Sequence, residues 1–308
     1  MRISVILYKM TIIKMNAYER WTDMHTLIHA LEHSFLDSIK LMPFIFLIYF
    51  IIEYFEHKNN TELSHVLQKS KKLGVVCGAL LGSVPQCGFS VIAADMYSKK
   101  SITLGTLIAI FIATSDEAVP IILSHPEKAY FVIAVIIVKL VIAVIFGIAI
   151  DLFYKKKKLN VCEEHEHHEH FHGNCEKCDG GAFKTAVIHT VKIFVFIFIA
   201  TFVLSYAVEC IGEERLASYL LKNSPLQPFV AALIGLIPNC AASVILTETF
   251  LSGALSFGSL IAGLSAGAGV GVLLLFKRNK NLLQNISIAA VLYAIGAGCG
   301  LIIQLIRF

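Results

Sequence analysis

Long apolar runs recur along this chain, and short polar blocks separate them. The clearest are residues 41–55, 131–153, 193–208, 255–276 and 286–306. About 20 apolar residues are what an α-helix needs to cross a hydrocarbon core of about 30 Å. Inside lipid, only a structure that satisfies its own backbone hydrogen bonds can span. A single oversized soluble core would also need apolar segments, but composition argues against it. Of the residues 56% are hydrophobic and 16% charged, where a soluble domain carries roughly 25% charge. The expected class is therefore an all-α polytopic membrane protein. The first 24 residues include Arg2, Lys9, Lys14 and Arg20, and their apolar stretch is too short for a signal peptide with a small-residue cleavage site.

The chain also repeats itself. The segment from Ala79 to Cys87 matches the segment from Ala232 to Cys240 at an offset of 153, and the match continues through Ser90-Val91-Ile92 against Ser243-Val244-Ile245. Asp95 falls on Glu248, and Leu107-Ile108-Ala109 on Leu260-Ile261-Ala262. Over 79–110 and 232–263, 12 of 32 aligned positions are identical. At an offset of 156, His33 falls on His189 and Glu53 on Glu209. Each copy holds a first span, a segment centred on Pro85 or Pro238, and two further spans. The proline segments, 73–98 and 227–252, have about 12 apolar residues on either side of the centre. Such a limb rises about 18 Å, too little to cross. Each segment is therefore expected to be a re-entrant hairpin or a broken helix, with about ten helical segments in all.

Three net crossings per copy make the second copy inverted. The distribution of basic residues agrees. With 154–184 in the cytoplasm, the cytoplasmic segments hold Lys58, Lys69, Lys71, Lys72, Lys99, Lys100, Lys155, Lys156, Lys157, Lys158, Lys177, Lys184, Lys277, Arg278 and Lys280. The external segments hold Lys128, Arg215, Lys222 and Arg307, and the N-terminal basic residues are the exception to the rule. The organisation expected is an N-terminal segment without assignment (1–29), repeat one (30–153), a cytoplasmic loop (154–182) and repeat two (183–308). Inverted repeats with broken helices are the architecture of secondary transporters, whose cargo sits near the midplane where the repeats meet.

Pro85-Gln86-Cys87-Gly88-Phe89-Ser90, Pro238-Asn239-Cys240 and, between them, Thr114-Ser115-Asp116-Glu117-Ala118-Val119-Pro120 resemble the ArsP-like group of ten-helix heavy-metal exporters. Its members carry names such as manganese transporter or arsenic efflux protein. The resemblance covers roughly 30–308 and implies metal export.

The residues point to a site on their own terms. A charged side chain at membrane depth is costly and hence a functional candidate. Asp116 and Glu117 lie inside an apolar run after Ser115, and the second copy replaces them with Gly269 and Val270. Gln86, Cys87 and Ser90 fall on one hairpin tip, and Asn239, Cys240 and Ser243 on the other. Carboxylate and amide oxygens suit Mn²⁺, and thiolates draw Zn²⁺, Cu⁺ or As(III). Glu53 and Glu209 close matched spans and read as entrance ligands or interface anchors. Cys77, Cys210 and Cys299 read as small buried hydrophobes. Asp95 and Glu248 are expected near the surface, at the hairpin ends. Lys139, well inside a span, reads as a counter-ion to a carboxylate or as a snorkelling lysine.

The central loop adds a second signal. Cys162 is followed by five histidines, His165, His167, His168, His170 and His172, and then by Cys175 and Cys178. Cys/His-rich tracts bind metals, and this spacing suits adaptable binding by a cytoplasmic buffer or sensor. His168 to His172 also fits H-E-x-x-H, but no apolar helical face is there to hold such a site. No phosphate-binding loop, nucleophile elbow or dinucleotide fingerprint occurs. The expected function is thus not enzymatic. It is export of a divalent metal, Mn²⁺ first and Zn²⁺ second, driven by proton exchange and without a cofactor. An arsenite or organoarsenical permease and a membrane metal sensor are the alternatives. Expected partners are the metal ion, the lipid bilayer and at most a second copy as a homodimer, with no nucleic acid. The expected location is the inner or plasma membrane of a prokaryotic cell.

Overall fold

The computed structural model describes residues 71–114, 117–159, 182–211, 224–279 and 281–306, with scattered helical positions between Ile28 and Phe50. Among the described residues there is no strand. Helices α1 (Lys71–Gly82) and α2 (Gly88–Ser98) flank Pro85. They are followed by α3 (Leu104–Ala113), α4 (Ala118–Leu123), a 3-10 turn at Pro126–Lys128 and the long α5 (Tyr130–Leu159). After α6 (Ala182–Ile211) the same series returns as α7 (Gln227–Gly235), α8 (Cys240–Leu251), α9 (Phe257–Ala266), α10 (Val270–Arg278) and α11 (Leu282–Leu305).

Among the described residues, five stretches are long and apolar enough to cross a membrane: Leu104–Leu123, Tyr130–Phe153, Thr190–Ala207, Phe257–Arg278 and Leu282–Leu305. Two of them, read from sequence as continuous spans, are broken. The first divides into α3 and α4, and the fourth into α9 and α10. Pro120 accounts for the first break: it has no N–H to offer and its ring would collide with the carbonyl four residues back in a continuous helix, so it stands instead in the first turn of α4. Glycine explains the second. Gly269 has φ 52° and ψ −146°, a backbone state closed to other L-residues. The broken stretches are 75% and 72% buried and the unbroken ones 33%, 22% and 33%, so the breaks lie at the centre and the long helices at the periphery.

The periphery is built for lipid. Ile133, Ile137, Val141 and Ile145 are exposed along α5, and Val191, Val195, Ile199 and Val203 along α6. A four-residue spacing lines each set along one helix face. In water such stripes would be a liability. In a bilayer they are the outer surface. Cys77, expected to be buried, is exposed on α1, and a small apolar thiol is acceptable on a lipid-facing side.

The interior packs closely through small residues. A Cβ on Gly105 would come within 2.1 Å of the Gly147 carbonyl oxygen, and one on Gly258 within 2.5 Å of the Gly300 oxygen. These two crossings, α3 on α5 and α9 on α11, are the same contact 153 residues apart, and backbones approach this way in membrane bundles. Each half also reaches into the other: α10 packs on α2, and α4 on α8.

Polar contacts gather at two ends of the bundle. At one, Thr103 Oγ1 and the Gly105 N–H donate to Asp151 (2.6 and 2.8 Å), and Arg278 and Lys99 meet Asp95. At the other, Lys128 donates to the Leu251 carbonyl. There Gln227 also donates to the Ala254 carbonyl at 3.0 Å and accepts from the Ser256 N–H at 3.0 Å, and Gln304 donates to the Ser224 carbonyl at 3.2 Å. Asp95 is 3% exposed, which corrects the expectation of a surface position; two cations from different helices cover it. Its counterpart Glu248 is exposed as expected.

Candidate transport site at the broken helices

Both hairpin tips are built by one local rule. The amide of Gln86 donates to the Val84 carbonyl and that of Asn239 to the Ile237 carbonyl, each at 2.7 Å. This is a three-residue turn around the proline. Ser90 Oγ then donates to the Cys87 carbonyl at 2.7 Å, and Ser243 Oγ to the Cys240 carbonyl at 2.8 Å. The hydroxyls thus serve the first turns of α2 and α8. The tips differ in depth: Asn239 is 7% exposed, and Gln86 is half-buried. The amide nitrogen of Asn239 reaches Ser205 Oγ on α6 at 3.3 Å.

Beside the second tip lies a small, partly open recess of about 30 Å³. Asn239, Cys240 and Ser243 line it from the tip, Thr114 from the end of α3, and Leu264 and Gly269 from the break between α9 and α10. One wall thus comes from each broken helix. Thr114 closes α3 twice over, its amide (3.0 Å) and its hydroxyl (2.7 Å) both donating to the Ile110 carbonyl. Behind this wall stands Lys139 of α5, 1% exposed. Its ammonium donates to the carbonyls of Thr114 and, at 2.9 Å, of Leu264. It does not snorkel.

The predicted residues divide accordingly. Asn239, Cys240 and Ser243 come together at the recess. Gln86, Cys87 and Ser90 form the matching tip and are not among the residues that line it; a Cβ on Gly271 of α10 would come within 2.6 Å of the Ser90 carbonyl oxygen. Glu117, half-buried, stands at the start of α4. Ser115, Asp116 and Glu53 lie outside the described residues, as do Cys162, His165, His167, His168, His170, His172, Cys175 and Cys178. Glu209 belongs to α6, its side chain outside the description. Among the described residues, no three His, Cys, Asp or Glu side chains converge. The recess therefore offers amide, hydroxyl and single thiol groups.

Sequence reasoning missed Thr114 and the pairing of Asp95 with Arg278. For Thr114 the signal was present: a helix-ending threonine followed six residues later by proline. For the ion pair there was none, because the partners are far apart in the chain and come from different halves.

The model of the ArsP_2 family, described as "Putative, 10TM heavy-metal exporter", matches residues 22–208 and 184–307. The chain belongs to this family. The ArsP_2 match spans the hairpins, the breaks and α5 alike, so the site just described is part of the family's common body. No curated protein and no solved structure matches the chain. As an ArsP_2 protein it is a multi-pass membrane protein of a heavy-metal exporter family, and metal is its expected substrate.

Proposed function

We propose that this chain exports a divalent metal cation, Mn²⁺ ahead of Zn²⁺, in exchange for protons. Two oppositely oriented repeats alternately open one central site. The observation that carries this reading is the recess, where the second hairpin tip meets the breaks of both interrupted helices. Irregular backbone at membrane depth is tolerated where it lines a cavity, and transporters hold cargo at such broken helices. The oxygens of Asn239, Ser243 and Thr114 are hard donors that suit Mn²⁺, and the Cys240 thiol extends the range to Zn²⁺. Asp116 and Glu117, which follow Thr114 and Ser115 in the chain, supply the negative charge that a divalent cation needs at depth. Two nearby carboxylates raise one another's proton affinity, so they take up protons once the metal leaves. Gln86, Cys87 and Ser90 form the equivalent wall in the opposite state. Glu53 and Glu209 stand at the entrances, and the Cys162–Cys178 tract buffers metal in the cytoplasm. The matched tips, crossings and polar ends support the opposed orientation. The cell membrane of a prokaryote is the proposed location.

The Cys240 thiol in the same recess favours a second cargo, trivalent arsenic. One experiment separates the two. Membrane vesicles loaded with Mn²⁺, Zn²⁺ or arsenite are followed under an imposed pH gradient. Mn²⁺ efflux should depend on the gradient and fall at least about tenfold in Asp116→Asn/Glu117→Gln. Wild-type rates in that variant would remove both carboxylates from the mechanism. Arsenite efflux alone, abolished by Cys240→Ser, would move the assignment to arsenic.

A further inference from the structure

Lys139 has no basic counterpart in the second half. The offset of 153 places it on Leu292, a residue of α11 at 0% exposure. Lys139 is as deeply buried, at 1%, so a cation stands in one half where the other keeps a hydrocarbon. Two carbonyl acceptors are part of what holds it there. Thr114 caps the C-terminus of α3, and Leu264 lies in the last turn of α9. The last four carbonyls of an α-helix lack intrahelical amide partners and carry the negative end of its dipole. The Leu264 carbonyl is one of these, and the Thr114 carbonyl is the first unwound one past α3, at ψ 127°; both face a single ammonium. The same arrangement, half-helix C-termini with unwound carbonyls, coordinates free Na⁺ at the midplane of other transporters. Thr114 and Leu264 both line the recess as well, so the place held by the ammonium is in reach of an ion that enters there.

We propose that the carbonyl ends of α3 and α9 form a monovalent-cation site, and that the Lys139 ammonium is its built-in occupant. The protein then needs no free Na⁺ or K⁺ to hold its two breaks together. Once the ammonium is removed, the site takes an alkali cation from solution. The inference concerns the charge of the core and does not depend on the identity of the exported cargo, so it stands or falls separately from metal export.

The test uses the purified full-length chain in detergent. Melting temperatures are measured in NaCl, in KCl and in N-methyl-D-glucamine chloride at equal ionic strength. The wild type should melt alike in all three. Lys139→Ala should melt lower in N-methyl-D-glucamine and rise by about 5 °C or more in saturating Na⁺ or K⁺. Lys139→Met, which fills the space without charge, should stay low in every salt. Equilibrium dialysis with ²²Na⁺ should find one bound ion in Lys139→Ala and none in the wild type. A folded Lys139→Ala that ignores both cations, or a Lys139→Met as stable as the wild type, overturns the proposal. If Lys139→Ala cannot be purified in N-methyl-D-glucamine, the readout becomes folded yield. Recovery of Lys139→Ala or Lys139→Ser in Na⁺ or K⁺ supports the site, and failure of both variants in all three salts rejects it.

Discussion

Arg278 Nε lies 3.2 Å from Oδ1 of Asp95, and the offset of 153 carries this pair onto His125 and Glu248 at the other end of the bundle. Asp95 is covered and Glu248 exposed, so the acid of one pair is engaged while its counterpart is open. Asp95 belongs to the first hairpin and Arg278 to the end of α10, so the ion pair joins the two halves. A buried carboxylate that loses one partner costs about 3–5 kcal/mol, far more than an exposed pair. Lys99, at 3.1 Å from Oδ2, remains and brings the expected cost to the lower end. Arg278→Ala should therefore lower stability by about 3 kcal/mol, against less than about 1 kcal/mol for Glu248→Ala. A double-mutant cycle with Asp95→Asn and Arg278→Gln, read by denaturant or thermal unfolding, should return a coupling of about 1–3 kcal/mol. Additive effects would mean that the pair does not act as a unit.

Gly269→Ala should act through the backbone. At φ 52° any side chain is strained, at a cost of about 1–3 kcal/mol. Gly267, three residues past Leu264 in the same break, has φ −76°. A Cβ there would meet the Gly235 carbonyl oxygen at 3.0 Å, a tight contact at an otherwise ordinary φ. Thermal unfolding should rank Gly269→Ala below Gly267→Ala. The reverse order would mean that this break is set by packing.

The crossing of α9 on α11 allows no side chain at Gly258, where a Cβ would stand 2.5 Å from a backbone oxygen. Gly258→Val should lose folded, membrane-inserted protein, and Gly298→Ala, with nothing within 4 Å of its added Cβ, should be neutral. Yields by size-exclusion profile decide it.

Topology has its own test. Single cysteines introduced in a cysteine-free background at 155–184 and at 221–228 should differ towards an impermeant thiol reagent. The first set should label only after permeabilisation, and the second in intact cells. External labelling of both would contradict the opposed repeats.

Removal of residues 162–178 should leave transport in place and shift the metal concentration at which it responds, because the pathway runs through the recess. Complete loss in a protein that still inserts would make the tract part of the site. Metal titration of transport by the shortened chain is the measurement.

Much of this fold was legible because a bilayer allows so few solutions. Apolar length announced the helices, and Pro85 and Pro238 announced the tips, since a residue without an N–H leaves a visible mark. The break at Gly267–Gly269 was not legible, because glycines in an apolar run read equally well as close-packing positions, and both readings hold here. The site was half legible. Asn239, Cys240 and Ser243 stood out as polar residues after a proline. Asp95 and Arg278 did not, because a contact between residues 183 apart in number has no local signature. Lys139 was visible as a charge in a span, but two of its acceptors are backbone carbonyls, to which side-chain patterns are blind.

The two breaks also differ in kind. Pro120 has a fixed torsion and stands in the first turn of α4, while Gly269 is the residue least restrained about its own bonds. Proline stiffens the start of α4, and glycine loosens the start of α10. A structure with one rigid and one pliant joint around a shared centre does not divide its movement equally. Movement about that centre should then fall more on the half that carries α9 and α10 than on the half that carries α3 and α4. Amide exchange faster in the first turn of α10 than in that of α4 would be the signature of this division.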